Sequence, residues 1–218
     1  MVSDTHTNHS FAVPDGDLLL HAGDFAKWNS SLSDVQAFNA WLGTLPHAVK
    51  IVTAGNHDRF PADQLKATLT NATFLCNESV VFWLHPDGVV SLVAGNNCRP
   101  IKVCAVPQTP ARSFVYRANG FAASLAERMR LCAAIDDDVD FLLTHAPPHG
   151  VLDQVGDTHE GCVAIRRRVA ELPALSLHCF GHCHNWGGHA VRCRRRGTTF
   201  VNAAQAFAEP VVAKVNLM

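Results

Sequence analysis

The chain has 218 residues, is 48% hydrophobic and 17% charged, and carries a formal net charge of -1. That length suits one domain with a substantial core, and the composition excludes a disordered chain. A net charge so close to zero gives no global attraction to nucleic acid or to an anionic membrane, so either would need a local patch.

No apolar run reaches the roughly 18 residues that a spanning helix needs. The opening Met1-Val2-Ser3-Asp4-Thr5-His6 lacks the basic and then apolar regions of a secretory signal. A cytoplasmic location is the expectation. The eight cysteines include no CxxC pair, so they read as reduced, mostly core residues rather than as a redox or zinc-ribbon framework. Histidine is the unusual count at 13. Several of these lie in short polar segments beside glycine, which directs attention to metal ligands and acid–base groups.

In chain order, Asp4-Thr5-His6 is the first polar cluster. Asp17-Leu18-Leu19-Leu20-His21 then reads as a buried strand running into Gly23-Asp24. Ser33-Asp34-Val35-Gln36 is a capping-box start, followed by Val35, Phe38 and Leu42 on one helical face. Val49-Lys50-Ile51-Val52-Thr53 is a second strand, so the opening is a βαβ unit, and it runs into Gly55-Asn56-His57-Asp58. Strands are expected over residues 89–94 and 101–106. Phe121, Leu125, Met129 and Cys132 form a helical stripe. Phe141-Leu142-Leu143-Thr144 is a short strand ending at His145. Ile165, Val169 and Leu172 mark another helix, and the strand after it ends at Gly181-His182-Cys183-His184. Short antiparallel strands are expected around Val191, around Phe200 and over residues 211–215. This alternation is that of an α/β layer protein. No linker or repeat divides residues 1–218, which read as a single domain.

Four of the five polar clusters directly follow a strand, where ligands collect in open α/β sheets. Asp, the Asn carbonyl and His nitrogen suit a hard, dinuclear cation site for Mn, Fe or Zn, and the absence of clustered thiolates argues against structural zinc. His182 and His184 lie two apart, so a loop can send each to a different cation. Taken singly, each cluster is ordinary turn chemistry; the ordered set of five is what carries the reading.

That set, D-x-H, G-D, G-N-H-D, H and G-H-x-H, resembles the calcineurin-like metallophosphoesterase superfamily over nearly the whole chain. The segments 16–25, 38–42, 144–150 and 180–188 resemble the branch of the mammalian metallophosphoesterase-domain proteins. The resemblance implies two facing mixed β-sheets flanked by helices. It implies that Asp4, His6, Asp24 and His184 hold a first divalent metal ion. Asp24 would bridge to a second, completed by Asn56, His145 and His182. His57 would lie beside the phosphate as general acid or transition-state stabiliser, and a phosphodiester of cyclic-nucleotide type or a phosphomonoester would be the substrate. The chain departs from the family in one place: only Met1, Val2 and Ser3 precede Asp4, so the first strand is truncated. Fraying there would weaken the first metal site.

Two other readings are available. One is a non-catalytic metal-binding scaffold that keeps the fold, against which stand the intact Asn56, His57, His182 and His184. The other is cysteine chemistry at Cys183, whose flanking histidines the metal pattern explains better. Trp186 reads either as a pocket wall or as packing under the loop. Arg166-Arg167-Arg168 and Arg192 with Arg194-Arg195-Arg196 read as solvated charge, so the expected partner is a small phosphorylated compound rather than nucleic acid or a membrane.

Overall fold

The computed structural model describes residues 1–111 and 120–205; the strand expected over residues 211–215 lies outside them. Strands β1 (Leu18–His21), β2 (Val49–Val52) and β3 (Thr73–Phe74) form a parallel sheet in that order. Helices α1 (Leu32–Thr44) and α2 (Ala62–Thr68) connect them. The later strands are β4 (Glu78–Leu84), β5 (Val90–Ser91), β6 (Arg99–Val106), β7 (Thr109–Pro110), β8 (Ala122–Ala123) and β9 (Phe141–Thr144). They continue with β10 (Gln154–Val155), β11 (Thr158–His159), β12 (Leu177–Phe180), β13 (His189–Arg192) and β14 (Thr199–Asn202). Helices α3 (Leu125–Ala133) and α4 (Val163–Glu171) lie among them.

The second sheet is mixed and runs β13-β14-β12-β9-β6-β4-β5. Its centre, β6, β9, β12 and β14, is parallel, while β4 and β13 pair antiparallel to their neighbours. Side chains alternate across each strand, which sorts the apolar runs into layers. Leu20, Val49 and Ile51 meet Ile101, Val103, Phe141, Leu143 and Leu177 between the sheets. Leu19 and Val52 turn to Val35, Phe38 and Leu42 of α1. Leu142, Cys104 and Phe180 turn to Ile165 and Val169 of α4 and Cys132 of α3. The expected sheets flanked by helices are therefore present, but only the second is mixed; the first is parallel throughout. Burial on both faces explains why these strands are continuously apolar, and each fully buried Leu or Phe contributes about 1.5–3 kcal/mol. No helix among the described residues is long and apolar enough to cross a membrane.

Several boundaries differ from the sequence reading. The first helix is capped by Ser31, two residues before the expected start, with the Ser31 N–H donating to the Asp34 carboxylate at 2.7 Å. The stripe begun at Phe121 starts instead after Ser124, whose hydroxyl accepts from the Glu127 N–H, because Phe121 has a left-handed φ of 53°. The expected strand over residues 89–94 shrinks to two residues, since Leu92 and Val93 are solvent-exposed and outside the ladder. Strand β4 gave no signal, because its half-exposed residues show no clean alternation. Helix α2, seven residues long, is too short to set up a period.

The segment before Asp4 is short but tied on both sides. Val2 pairs parallel with His21 and Ser3 with Ala204, and both are completely buried. The Val2 N–H donates to the Leu20 carbonyl and the Gln205 N–H to that of Ser3, each at 2.9 Å. This pairing removes the expected reason for fraying at Asp4 and His6.

His178, fully buried in β12, gives the fold an acid sensitivity. The Thr144 hydroxyl donates to the Ala146 carbonyl at 2.7 Å, so His178 Nε2–H must donate to Thr144 Oγ1 at 2.8 Å. Its Nδ1 is buried without a partner among the described residues, and burial pushes the pKa down to about 3, which keeps the ring neutral at ordinary pH. Unfolding releases the ring to its ordinary value near 6.5, so stability is lost as pH falls from there towards 3. The loss is on the order of 3 kcal/mol by pH 4. Urea unfolding at pH 7 and pH 4 is expected to show that excess loss in wild type and not in His178→Phe. Equal losses in both would remove His178 as the cause.

Candidate metal centre

The loops leaving β1, β2, β9 and β12 converge at one end of the sandwich. Residues 4–7 run beside residues 23–25, with Asp4 N–H donating to Gly23 O at 2.9 Å, His6 N–H to Asp24 O at 3.1 Å and Thr7 N–H to Phe25 O at 2.9 Å. Asp4, His6, Asp24 and His182 all have left-handed φ values, of 56°, 45°, 52° and 66°. That region is uncommon for non-glycine residues, and such strain gathers at functional sites.

Two glycines let the carboxylates lie directly on backbone. A Cβ at Gly55 would fall on the Asp24 carboxylate, and one at Gly181 on those of Asp4 and on Ser3 Oγ. Gly181→Ala is accordingly expected to displace Asp4 and to lower bound metal by about one ion per chain, read by elemental analysis of the folded variant. Full metal content would show that the loop relaxes around the methyl.

Asp4 and Asp24 are both 2% exposed. His184 Nε2 lies 3.1 Å from Asp4 Oδ1 and His6 Nε2 4.0 Å from it. His145 Nε2 lies 3.1 Å from Asp24 Oδ2 and His57 Nε2 3.9 Å from it. The donor atoms of Asp4, His6 and His184 lie within 4.8 Å of one another, as do those of His6, Asp24 and His57, and those of Asp4, Asp24 and His145. His182 joins through its ring, 5.1 Å from that of His145, and its N–H, which donates to Asp4 Oδ2 at 3.0 Å. Asn56 is 7% exposed, and its Oδ1 is buried with no hydrogen-bond partner. All eight sequence-predicted residues are thus brought together.

The donor set fits divalent cation binding on three counts. His6 Nδ1 faces the Ala26 carbonyl at 3.1 Å and His145 Nδ1 that of Ala22 at 2.9 Å. Each carbonyl fixes the Nδ1–H tautomer and aims the Nε2 lone pair at the carboxylates, the usual outer support of a ligating imidazole. The His145 Nε2 makes no aligned hydrogen bond, and the Asn56 carbonyl oxygen makes none, although buried polar atoms ordinarily find partners. The site also attracts positive charge. Burial alone would raise Asp4, but the His184 hydrogen bond and the charges of His145 and His184 hold it well below the usual carboxylate range. Burial alone would lower His145, but Asp24, 3.1 Å away, pushes it up to about 10. The same negative field favours a divalent cation, which would have to displace that proton to be held there.

His57 differs from its neighbours. Burial lowers its pKa, with the charge of Asp24 opposing. Its backbone N–H donates to Asp24 Oδ1 at 2.7 Å, and its ring meets that of His6 at 5.0 Å.

Sequence reasoning gave Asp58 no firm role, yet it organises the loops after β1 and β2. Its carboxylate accepts from the N–H groups of Asp24, Ala26 and Gly55, each at 2.8 Å. Burial and the nearby Asp24 charge push it well above the ordinary carboxylate range. The only signal was its place in the Asn-His-Asp run. Asn202 was not singled out either; its Nδ2 donates to the Cys183 carbonyl at 3.0 Å and fixes the last loop. Trp28, 42% exposed, stands 6.2 Å from His57, with the Arg59 guanidinium 4.5 Å over its ring. Trp186 is tied by its Nε1–H to the Gln154 carbonyl at 2.9 Å, and Cys183 is buried with Sγ towards the Asp153 carbonyl. None of the eight cysteines forms a disulfide.

Residues 3–186 match the family model for the calcineurin-like phosphoesterases. A UPF0046 protein of Caenorhabditis elegans is 36% identical over 222 residues, which cover 94% of this chain and 68% of that protein. Metallophosphoesterase domain-containing protein 1 of Homo sapiens and that of Mus musculus are 35% identical over 223 residues. The match covers 93% of this chain and 64% of theirs, so the chain spans about two thirds of the length of these relatives. The crystal structure of TT1561 of Thermus thermophilus superposes with a TM-score of 0.55 at 13% identity, covering 85% of this chain and 76% of that one. At that identity the likeness concerns the fold.

Proposed function

The chain belongs to the calcineurin-like phosphoesterase family, and from that membership and the donor set we propose that it hydrolyses a small phosphate ester at a two-metal centre within a single domain. The observation that carries the reading is the pair of buried carboxylates, Asp4 and Asp24, each within 3.1 Å of an imidazole nitrogen. On this reading Asp4, His6, Asp24 and His184 hold one divalent cation. Asp24, Asn56, His145 and His182 hold the other, and Asp24 is shared. When bound, two cations such as Mn, Fe or Zn lower the pKa of water and neutralise charge on the phosphoryl oxygens.

The chain's own groups do the rest. The Ala22 and Ala26 carbonyls keep His145 and His6 in one tautomer. Asp58 anchors the loops that carry Asp24 and Asn56. His57 stands beside Asp24 at the rim, where a ring N–H can donate to a phosphate oxygen or to the leaving oxygen. Its lowered pKa favours a neutral hydrogen-bond donor over a standing cation. A phosphodiester of cyclic-nucleotide type is the favoured substrate and a phosphomonoester the second.

The test is hydrolysis of bis(p-nitrophenyl) phosphate and of p-nitrophenyl phosphate, with and without added Mn²⁺. Metal-dependent turnover, faster on the diester, is expected. No turnover of either ester by protein carrying two metal ions would sink the hydrolase reading and leave a non-catalytic metal-binding scaffold.

A further inference from the structure

Two arginine groups far apart in the sequence meet in a cleft that none of the residues proposed as metal ligands lines. Arg166 on α4 and Arg192, Arg195 and Arg196 at the tip of the β13-β14 hairpin border one cleft of about 480 Å³. The tip is closed by Gly197 N–H donating to Cys193 O and Cys193 N–H to Thr198 O, both at 2.8 Å, with Gly197 at a φ of 77°. Apolar side chains line the cleft as well, among them Leu152, Val169, Val191 and Phe200. None of the proposed metal ligands borders it.

Among the described residues the charge in the cleft is uncompensated. Arg167 and Arg168, next along α4, engage Glu171, and Arg168 also engages Asp137. Among the described residues, none of the four cleft arginines has a carboxylate within ion-pair distance. Arg192 Nε–H donates to the Gly197 carbonyl at 3.2 Å and an Arg196 Nη1–H to that of Leu172 at 3.3 Å. Those bonds fix the two guanidiniums without neutralising them. Arg166 and Arg195 make no side-chain hydrogen bond within the described residues. Four guanidiniums around one concavity, with no carboxylate partner among the described residues, stand out in a chain of net charge -1.

Planar guanidiniums match phosphate oxygens two at a time. A concavity of this size takes a small ligand rather than a duplex, and an apolar lining favours a ligand with an apolar or aromatic part. We propose that this cleft is a second ligand site, for a nucleotide-sized phosphate ester that carries an apolar or aromatic group.

Cys193 offers a native reporter. It is half-buried and lines the cleft, and the N–H groups of Arg196 and Arg195, with the charges of Arg166 and Arg196, hold its thiol below the usual range. A thiol in such a setting reacts readily with alkylating reagents. The experiment measures the rate of iodoacetamide labelling at Cys193 by peptide mass spectrometry. The protein is used as purified, with and without the β,γ-imido analogue of ATP, and Cys98, also half-buried, serves as the internal control. A saturable slowing of several-fold at Cys193 and none at Cys98 is expected. Arg166→Ala combined with Arg195→Ala should abolish it, and neither change removes a hydrogen bond from the fold. Tripolyphosphate should protect only at concentrations at least ~10-fold higher, a difference of about 1.4 kcal/mol. The proposal is overturned by unchanged labelling at millimolar analogue, or by protection that survives in the double variant. Equal protection by tripolyphosphate overturns the apolar part of the assignment. Labelling is read without turnover, so the result is independent of whether the metal centre is catalytic.

Discussion

Asp24→Asn is expected to strip bound metal from both positions and to lower phosphoesterase turnover at least ~1,000-fold. The Asp24 carboxylate shares one donor cluster with His6 and His57 and another with Asp4 and His145. Asparagine keeps the shape and one carbonyl oxygen, which can still accept the His57 N–H now bound to Oδ1 at 2.7 Å. It loses the charge that draws protons or cations into the site. Metal per folded chain, measured by elemental analysis beside circular dichroism, separates this effect from unfolding. A folded variant that keeps two metal ions and wild-type turnover would show that Asp24 is not the shared ligand.

His57→Ala should behave differently. If His57 acts on the substrate, turnover falls by about 10²- to 10⁴-fold while metal content is unchanged. Its Nε2 is 3.9 Å from Asp24 Oδ2, against 3.1 Å for that of His145, and its ring is one-third exposed at the rim. A protein that loses a metal ion on this substitution moves His57 into the ligand set. One that keeps both its metal and its turnover has no catalytic use for the ring.

The layers of the fold were readable because β1, β2, β6, β9 and β12 are buried on both faces and so appear as short apolar runs. Strand β4 was not, since half-exposure along its length erases the alternation a reader looks for. The polar clusters were readable because four of the five come where an apolar run stops, often at a glycine. What they touch was not: nothing in the Asn56-His57-Asp58 run says that Asp58 turns back to bind three amides of two different loops. The arginines show the same limit. Arg166 and Arg195 are a helix and a hairpin apart in sequence, and only the antiparallel pairing of β13 with β14 beside α4 gives them a common cleft.

The pairing of Ser3 with Ala204, and of Asp4 with His184 across 180 positions, also bears on how the protein is made. A chain emerging from the ribosome presents Asp4 and His6 well before His184, which comes only after twelve of the fourteen described strands. Contacts of such long sequence separation form late, because the loop they close must first be ordered. The Asp4-His6-His184 cluster therefore does not exist on any shorter nascent chain. On the proposed reading, metal loading at that cluster has to wait until residue 184 is in place.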